Sequence, residues 1–166
     1  MWTEAFLEYL TLERNYSLRT VEEYRDDLNA FESYYKKVDS TLSWETMDGD
    51  VVRDWMVSMM EAGRTATTVN RRLSALRTFY RYLLRRDWIK VDPVRNIQGP
   101  KKKKPLPVFL KESEMNRLLD GDFFGNDFLG KRDKLIVNTF YVTGIRLSEL
   151  TSLNNQYVDM WGGVIR

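Results

Sequence analysis

The sequence predicts a mainly α-helical protein built from two parts. Apolar residues recur at steps of three and four through the first 90 residues, the spacing of helices that bury one face. All four prolines lie between Pro93 and Pro107, and a strand pattern appears only in the last stretch, QYVDMWGGVIR. We therefore expect a four-helix bundle over residues 1–92, a linker over 93–107 and the helical opening of a second domain over 108–166.

Each of the four helices in the first part has its own sequence signal. The first, TEAFLEYLTLER, has Thr3 in the expected N-cap position. The second, SLRTVEEYRDDLNAFESYYKK, is capped by Ser17 or Thr20, because both are hydroxyl residues ahead of the apolar repeat. The third, GDVVRDWMVSMMEAG, ends at Gly63, and the fourth is TATTVNRRLSALRTFYRYLLRRD. Short loops between them favour a bundle.

The second part begins with a short helix in LKESEMNRLLDG, which we expect Ser113 to cap and Gly121 to stop. GNDFLGKRD is expected to be a polar loop. DKLIVNTFYVTG is apolar on most sides, which predicts a buried helix. IRLSELTSL predicts another short helix, and the strand pattern after it allows at most one hairpin.

The amino-acid composition excludes several classes of protein. Cysteine is absent, so the chain has no disulfide or thiolate nucleophile, and histidine, the commonest metal ligand and neutral-pH base, is absent too. No run of about 18 apolar residues occurs, and the acidic N-terminus is unlike a secretory signal. We expect a cytoplasmic protein without a metal or organic cofactor, in which any complete active site uses Arg, Lys, Tyr or carboxylates.

The net charge of +2 conceals a segregation of charge along the chain. Residues 1–62 carry 6 Lys and Arg against 14 Asp and Glu, a net charge of −8. Residues 63–104 carry 13 against 2, a net charge of +11, and residues 105–166 carry 7 against 8, a net charge of −1. A basic block of this density attracts polyanions, although a solvated basic surface would have the same composition.

The basic block is centred on the fourth helix, where the charges share one face. At about 100° per residue, the apolar sector consists of Val69, Leu73, Leu76, Tyr80, Leu83 and Leu84. The opposite sector has no acidic residue and consists of Thr67, Asn70, Arg71, Ser74, Thr78, Arg81 and Arg85, with Arg77 at its edge. Such a face suits double-stranded DNA, because arginines bind phosphates and guanine edges while Ser, Thr and Asn make short-range hydrogen bonds.

We predict DNA contacts from this helix and from two flanking regions. The predicted residues on the helix are Asn70, Arg71, Arg72, Ser74, Arg77, Thr78, Arg81 and Arg85. Arg19, ahead of the second helix, is added to them, and the lysine run of the linker would close around the duplex through Lys101, Lys102, Lys103 and Lys104. The alternative for Arg19 and the lysines is an ordinary solvated surface.

The stretch TGIRLSEL places Arg146 after a Thr-Gly turn and Glu149 three residues further on. Residues at this spacing share one face of a helix, so the carboxylate can reach the guanidinium. The pair is either an ordinary surface pair or an arginine held in place to meet a phosphate. Spacing alone leaves both possibilities open.

Several segments of the chain together resemble one family. They are SLRTVEEYRDDLNAF, TVNRRLSALRTFYRYL, DPVRNI, PKKKKPLPVFL and YVTGIRLSELTSL. Their order and spacing resemble those of the tyrosine recombinases, the phage integrase family, and most of all its Xer-like members. The resemblance covers essentially the whole chain, and TGIRLSEL with LPVFL upstream is its most specific part.

The resemblance implies a SAM-like core-binding bundle followed by the start of a catalytic domain, which together clamp duplex DNA. In this family a tyrosine attacks a phosphodiester and forms a 3′-phosphotyrosyl link without a metal, and the protein assembles as a homotetramer on DNA. Arg146 matches the family's first catalytic arginine, and Glu149 matches an acidic position that holds it. A forked guanidinium suits the equatorial oxygens of a phosphoryl-transfer transition state, which a lysine would not match.

The chain departs from the family pattern by lacking the remaining catalytic residues. It contains no histidine, and neither the family's lysine hairpin, its His-x-x-Arg motif nor its nucleophilic tyrosine has a match; Tyr141 and Tyr157 are interpreted as core or surface residues. We therefore expect this chain alone to be monomeric, to bind DNA and to cleave nothing. Two alternatives remain: a DNA-binding module that competes for sites without catalysis, and a helical domain that binds an acidic protein.

Overall fold

Helices dominate the computed structural model, which describes residues 2–102, 106–159 and 161–165. The chain divides into two units, Met1–Lys104 and Pro105–Arg166. Strands in the described ranges are limited to one short hairpin in the second unit, so the prediction of a mainly α-helical protein is confirmed. None of the described helices is both long and apolar enough to cross a membrane.

Four helices build the first unit, as the sequence predicted. They are α1 (Trp2–Leu12), α2 (Leu18–Val38), α3 (Gly49–Glu61) and α4 (Ala66–Arg85). Both α2 and α4 pack against each of the other three helices of the unit. This placement explains why α4 is buried on more than one side.

Hydroxyl side chains cap two of these helices. The Ser17 Oγ accepts a hydrogen bond from the Thr20 backbone N–H at 3.3 Å, which selects Ser17 over Thr20 as the cap of α2. Thr65 caps α4 in the same way, through an N–H three residues further on. The prediction for α1 was wrong: the helix begins at Trp2, and Thr3 is buried inside its first turn.

Aromatic rings occupy the centre of the bundle core. Phe6, Phe31 and Phe79 are fully buried, and the ring of Phe79 meets those of Phe6 and Trp44 edge-on, with centroids 5.2 and 4.8 Å apart. Burial of each such side chain contributes about 1.5–3 kcal/mol, and a well-placed ring pair adds about 0.5–1.5 kcal/mol. The core therefore holds all four helices and the loop that contains Trp44.

The apolar sector predicted for α4 was correct for all its members except one. Val69, Leu73, Leu76, Tyr80 and Leu83 are buried, whereas Leu84 is 40% exposed. Phe79 and Tyr82 are buried in addition. The buried stripe is displaced because α1 packs on the side of α4 where Tyr82 lies, and the wheel of a single helix does not show where its neighbours approach.

The proline-rich segment is not an extended linker over its first half. Val94 and Ile97 are buried in the same core as the four helices, with exposed fractions of 0% and 4%. Two side chains of α4 donate hydrogen bonds to backbone carbonyls of this segment, Arg77 to Ile97 O and Asn70 to Pro100 O. The bundle therefore extends past residue 92, where the sequence predicted its end, because apolar residues three apart anchor the segment.

The second unit contains three helices and a hairpin in its described residues. The helices are α5 (Glu112–Asp120), α6 (Phe128–Thr143) and α7 (Leu147–Thr151), followed by a 3₁₀ turn at Asn155–Tyr157. Strands β1 (Val158–Asp159) and β2 (Val164–Ile165) pair antiparallel, with Val158 opposite Ile165 and Asp159 opposite Val164. The hairpin allowed by the sequence is thus present.

Three expectations for the second unit were wrong. The N-cap of α5 is Lys111 and not Ser113, because the Glu114 carboxylate accepts the Lys111 backbone N–H at 2.8 Å. Six of the nine residues of the predicted loop GNDFLGKRD are helical, since Asp127 caps α6 by accepting the Gly130 N–H at 2.9 Å. α6 was expected to be buried, yet none of its residues, all of which are described, is buried. Its apolar faces find no covering element in the described part of this unit.

Candidate nucleic-acid interface

The polar face of α4 contains the predicted DNA-contact residues in three different surroundings. Near the start of the helix, two arginines meet carboxylates of α2. In the middle, two side chains hold the backbone of residues 97–100. In the C-terminal half, two arginines meet no carboxylate among the described residues. The face is therefore not the uniform arginine surface that the helical wheel predicts.

Arg71 is held by a carboxylate that the sequence analysis did not consider. Its NH1 and NH2 groups donate to the two carboxylate oxygens of Asp27 at 2.6 and 2.9 Å, and Glu23 lies 3.8 Å away. This two-pronged geometry is the strongest form of an arginine–carboxylate pair. The charge of Arg71 is thus largely neutralised within the bundle, although about half of its side chain remains exposed.

Arg72 lies beneath the polar face and not on it. Its side chain is only 23% exposed, its Nε lies 3.4 Å from Asp27, and its NH1 points at the Met59 sulfur at 3.5 Å. Burial raises the pKa of the Asp27 carboxyl, and the guanidiniums of Arg71 and Arg72 oppose that shift. This cluster joins α2 to α4, so its first role is structural.

Asn70 and Arg77 are occupied by the segment that follows the bundle. The Asn70 amide donates to Ala66 O at 2.6 Å and to Pro100 O at 2.8 Å. Gly99 lies so close to Asn70 that a Cβ at this position would overlap the amide oxygen. A residue without a side chain is therefore needed for the segment to approach α4, and Arg77 reinforces the contact through Ile97 O.

The remaining predicted contact residues are accessible. Ser74 is exposed, and the Thr78 hydroxyl donates to its carbonyl at 3.0 Å. Arg81 is exposed, and Arg85 donates to the Tyr9 hydroxyl at 3.4 Å. Arg19 is 90% exposed, with Glu23 3.9 Å away. Lys101 and Lys102 are exposed, whereas Lys103 and Lys104 lie outside the described residues.

The sequence analysis missed one arginine near this surface. Arg14 follows the end of α1, and it lines the same cleft as Arg81 and Arg85. Asn15, which follows it, has a positive φ of 51° and turns the chain back toward α2. The sequence placed Arg14 at the end of the first predicted helix, TEAFLEYLTLER, and that position does not reveal its distant partners.

In the second unit, Arg146 is held at the start of a helix. It is the N-cap of α7, and its side chain is 81% exposed. Glu149 accepts the Arg146 backbone N–H at 2.8 Å through one oxygen and the guanidinium NH1 at 2.8 Å through the other. One carboxylate thus fixes both ends of the arginine, while most guanidinium donors still face solvent. Tyr141 and Tyr157 are both exposed.

The Thr-Gly turn before Arg146 is required by its backbone conformation. Gly144 ends α6 with a φ of 64°, in the left-handed region that glycine adopts most readily. No atom within 4 Å would meet a Cβ at this position, so the positive φ and not a close neighbour is the reason for the glycine. Its role is to reverse the chain so that Arg146 takes the N-cap position of α7.

The two contacts from Arg146 lower the pKa of Glu149, with the backbone N–H as the larger cause and the guanidinium as the next. We expect Arg146→Ala to return this pKa only partway to its ordinary value, because alanine keeps the N–H. Carboxyl NMR titration measures it, and Arg132→Ala, a change in α6, should leave it unaltered. A complete return in Arg146→Ala would contradict this account. Because the pKa of Glu149 is lower in the folded state, the contact contributes its full stabilisation of α7 only above the ordinary pKa of glutamate. That stabilisation is lost as the pH falls through the lowered pKa of Glu149 in the folded protein.

Comparison with known proteins agrees with this architecture. The class defined by the fold is a SAM-like helical bundle followed by a second unit that presents an arginine at a helix start. Residues 3–87 match the family model "Phage integrase, N-terminal SAM-like domain". The chain belongs to the phage integrase family.

Its relatives include recombinases of the Xer type. The chain is 36% identical over 164 residues to tyrosine recombinase XerC of Halalkalibacterium halodurans, an alignment that covers 99% of this chain and 54% of that protein. It is 31% identical over 163 residues to tyrosine recombinase XerD of Oceanobacillus iheyensis, covering 98% of this chain and 54% of that protein. The chain thus spans about half the length of these relatives.

A solved structure shares the fold. The Tn1549 transposon integrase, determined in complex with circular intermediate DNA, matches with a TM-score of 0.69 at 17% identity. The match covers 96% of this chain and 51% of that one. It confirms the arrangement of helices expected for this family.

Proposed function

We propose that this chain is part of a tyrosine recombinase that binds duplex DNA and acts in site-specific recombination. The observation that carries the proposal is the geometry of Arg146, whose guanidinium is exposed yet donates to Glu149, while the same carboxylate also accepts the Arg146 backbone N–H. An arginine fixed in this way is ready to bind phosphate oxygens without first losing conformational freedom. The names of the relatives, both tyrosine recombinases, support the assignment.

The bundle supplies the DNA-binding surface in this proposal. Helix α4 presents Ser74, Thr78, Arg81 and Arg85 on one side, and an α-helix fits the major groove of DNA. Arg71 contributes less than its position on the wheel predicts, because Asp27 already neutralises it. Lys101 and Lys102 extend the basic surface beyond α4.

Arg146 and Glu149 perform the part of the chemistry that this chain would supply. In the family mechanism a tyrosine oxygen attacks the phosphorus, the 5′ oxygen of the DNA leaves with a proton, and a 3′-phosphotyrosyl link remains. Arg146 would stabilise the charge on the non-bridging oxygens during that step, while Glu149 keeps its guanidinium in place. The attacking tyrosine and the groups that move protons have no match in this chain, so we propose that the chain alone cleaves no DNA.

The proposal extends to assembly and location. By resemblance, the whole recombinase assembles as a homotetramer on DNA and acts in the cytoplasm. For the chain alone we propose a monomer in the absence of DNA.

DNA binding is tested directly with the 166-residue chain. We expect fluorescence anisotropy with a labelled 30-base-pair duplex to give a binding constant whose logarithm falls linearly with the logarithm of salt concentration, at about 0.9 per phosphate neutralised. Polyglutamate of similar length serves as the control competitor, because a domain that recognises acidic proteins would bind it. Absence of DNA binding, or equal competition by polyglutamate, would contradict the proposal.

A further inference from the structure

A cleft of about 190 Å³ lies between the end of α1, the turn after it and the C-terminal half of α4. Its apolar lining comes from Leu10 and the ring of Tyr82, which are both buried. No carboxylate lines the cleft among the described residues. Its polar lining consists of Arg14, Arg81, Arg85, Tyr9, Tyr16 and Thr78. Three guanidiniums, one from the turn after α1 and two from α4, therefore share one small concave site.

Arg14, Arg81 and Arg85 differ from several neighbouring arginines because no carboxylate pairs with them among the described residues. Arg71 and Arg72 meet Asp27, and Arg86, next to Arg85 in sequence, donates to Glu13 at 3.0 Å. Arg81 and Arg85 make no ion pair with the described residues. The acidic first third of the chain thus neutralises part of the basic block and leaves the arginines of the cleft unpaired.

The aromatic side chains of the cleft orient two of its arginines. The Arg14 guanidinium lies over the Tyr16 ring, 5.9 Å from its centroid, and Arg85 donates to the Tyr9 hydroxyl at 3.4 Å. Because Tyr9 accepts that bond with its oxygen, its own hydroxyl hydrogen can be donated to a ligand. The site therefore offers hydrogen-bond donors of two kinds to an anion.

The ends of two helices explain why like charges are tolerated here. Arg14 follows the C-terminus of α1, and its N–H donates to Tyr9 O at 3.1 Å; Arg85 is the last residue of α4. The carbonyl ends of helices attract cations. This attraction offsets part of the repulsion among the three guanidiniums.

We propose that this cleft binds one phosphate of the DNA backbone, held by Arg14 together with Arg81 and Arg85; the inference rests on the DNA binding proposed above. A phosphodiester presents one negative charge on two non-bridging oxygens, which suits guanidinium forks from two sides. The cleft would fix the position of the bundle along the duplex. It would contribute no choice of sequence, because a phosphate contact carries none.

The test compares Arg14→Gln with Arg86→Gln in the 166-residue chain. Both variants remove one positive charge near the same end of the bundle, but Arg86 points away from the cleft to Glu13. For Arg14→Gln we expect about tenfold weaker binding to any duplex and a salt slope smaller by about 0.9. Arg86→Gln should keep the wild-type slope, and Arg14→Lys should restore the slope because it restores the charge.

A double-variant cycle tests whether one phosphate is shared. If Arg14 and Arg81 hold the same phosphate, the salt slope of Arg14→Gln/Arg81→Gln falls by about the same amount as that of either single variant. A slope that falls twice as far would show two separate contacts and overturn the shared site.

Three further results would overturn the inference. If wild type binds duplex DNA with a steep slope and Arg14→Gln matches Arg86→Gln, the inference fails while the proposed function stands. If wild type does not bind duplex DNA at all, both fail. If wild type binds inorganic phosphate, Arg14→Gln abolishes that binding and the DNA salt slope does not change, the cleft is a site for a free anion and not for the DNA backbone.

Discussion

Asp27→Asn is expected to lower the free energy of unfolding of the helical bundle by about 3 kcal/mol. The Asp27 side chain is only 3% exposed, and its carboxylate faces both Arg71 and Arg72. Asparagine keeps the size of the side chain but removes the negative charge, so two guanidiniums lose their counter-ion. We place the loss at the lower end of the range for broken buried pairs because Arg71 is half exposed and can be rehydrated.

Urea unfolding followed by tryptophan fluorescence measures this loss. Trp44 and Trp55 are buried in the bundle core, whereas Trp161 of the second unit is fully exposed, so the signal reports on the bundle. We expect a lower midpoint with an unchanged slope, because the surface exposed on unfolding stays the same.

The matched control for this prediction is Asp26→Asn. Asp26 is the preceding residue on α2 and is exposed, and substitutions at such positions usually change stability by less than about 0.5 kcal/mol. Equal midpoints for the two variants would show that the buried pair contributes nothing. Asp27→Leu combined with Arg72→Met should recover part of the loss, because apolar residues can replace a buried pair of charges.

Arg146→Ala is expected to slow covalent DNA cleavage by the complete recombinase about 10²–10³-fold, the cost of removing one preorganised donor from a charged transition state. Arg146→Lys should recover little of the rate, because an ammonium lacks the planar fork. DNA binding by the bundle should be nearly unchanged, since the contacts of Arg146 lie in the second unit.

Single-turnover formation of a protein–DNA adduct on a nicked suicide substrate measures the cleavage step. Arg132→Ala is the matched control, because Arg132 is a half-exposed arginine of the same unit that pairs with its neighbour Asp133 at 2.7 Å. Equal rates for Arg132→Ala and Arg146→Ala would contradict the assigned role. Adduct formation by the 166-residue chain itself would contradict the proposal that it cleaves nothing and would remove the alternative of a module without catalysis.

Much of the fold could be predicted because helical periodicity is a local property of the sequence. All four bundle helices and the hairpin allowed near the C-terminus are present. The errors occurred where a local pattern had two possible outcomes. A proline-rich stretch with Val94 and Ile97 three residues apart can be a linker or can pack on a core, and the core of the bundle offers a place for both side chains.

The sequence predicted which residues form the polar face of the candidate site, but not which of its arginines are paired with a carboxylate. The helical wheel of α4 predicted its polar face. The TGIRLSEL motif predicted the Arg146–Glu149 contact, since two residues three positions apart at a helix turn lie close together. The wheel treated Arg71 and Arg81 as equivalent, which they are not. It also omitted Arg14, because that residue lies outside α4 and reaches the same surface only through the packing of the bundle.

The order of residues alone therefore establishes which helices form, where α4 is basic and where an arginine and a glutamate share a turn. Which arginines stay free to bind an anion depends on carboxylates from distant parts of the chain, such as Asp27, 44 residues before Arg71. A pair of charges acts over a few ångströms in space whatever its separation in sequence, so only the packing of α2 and α1 against α4 neutralises Arg71 and Arg86 and leaves Arg81, Arg85 and Arg14 together.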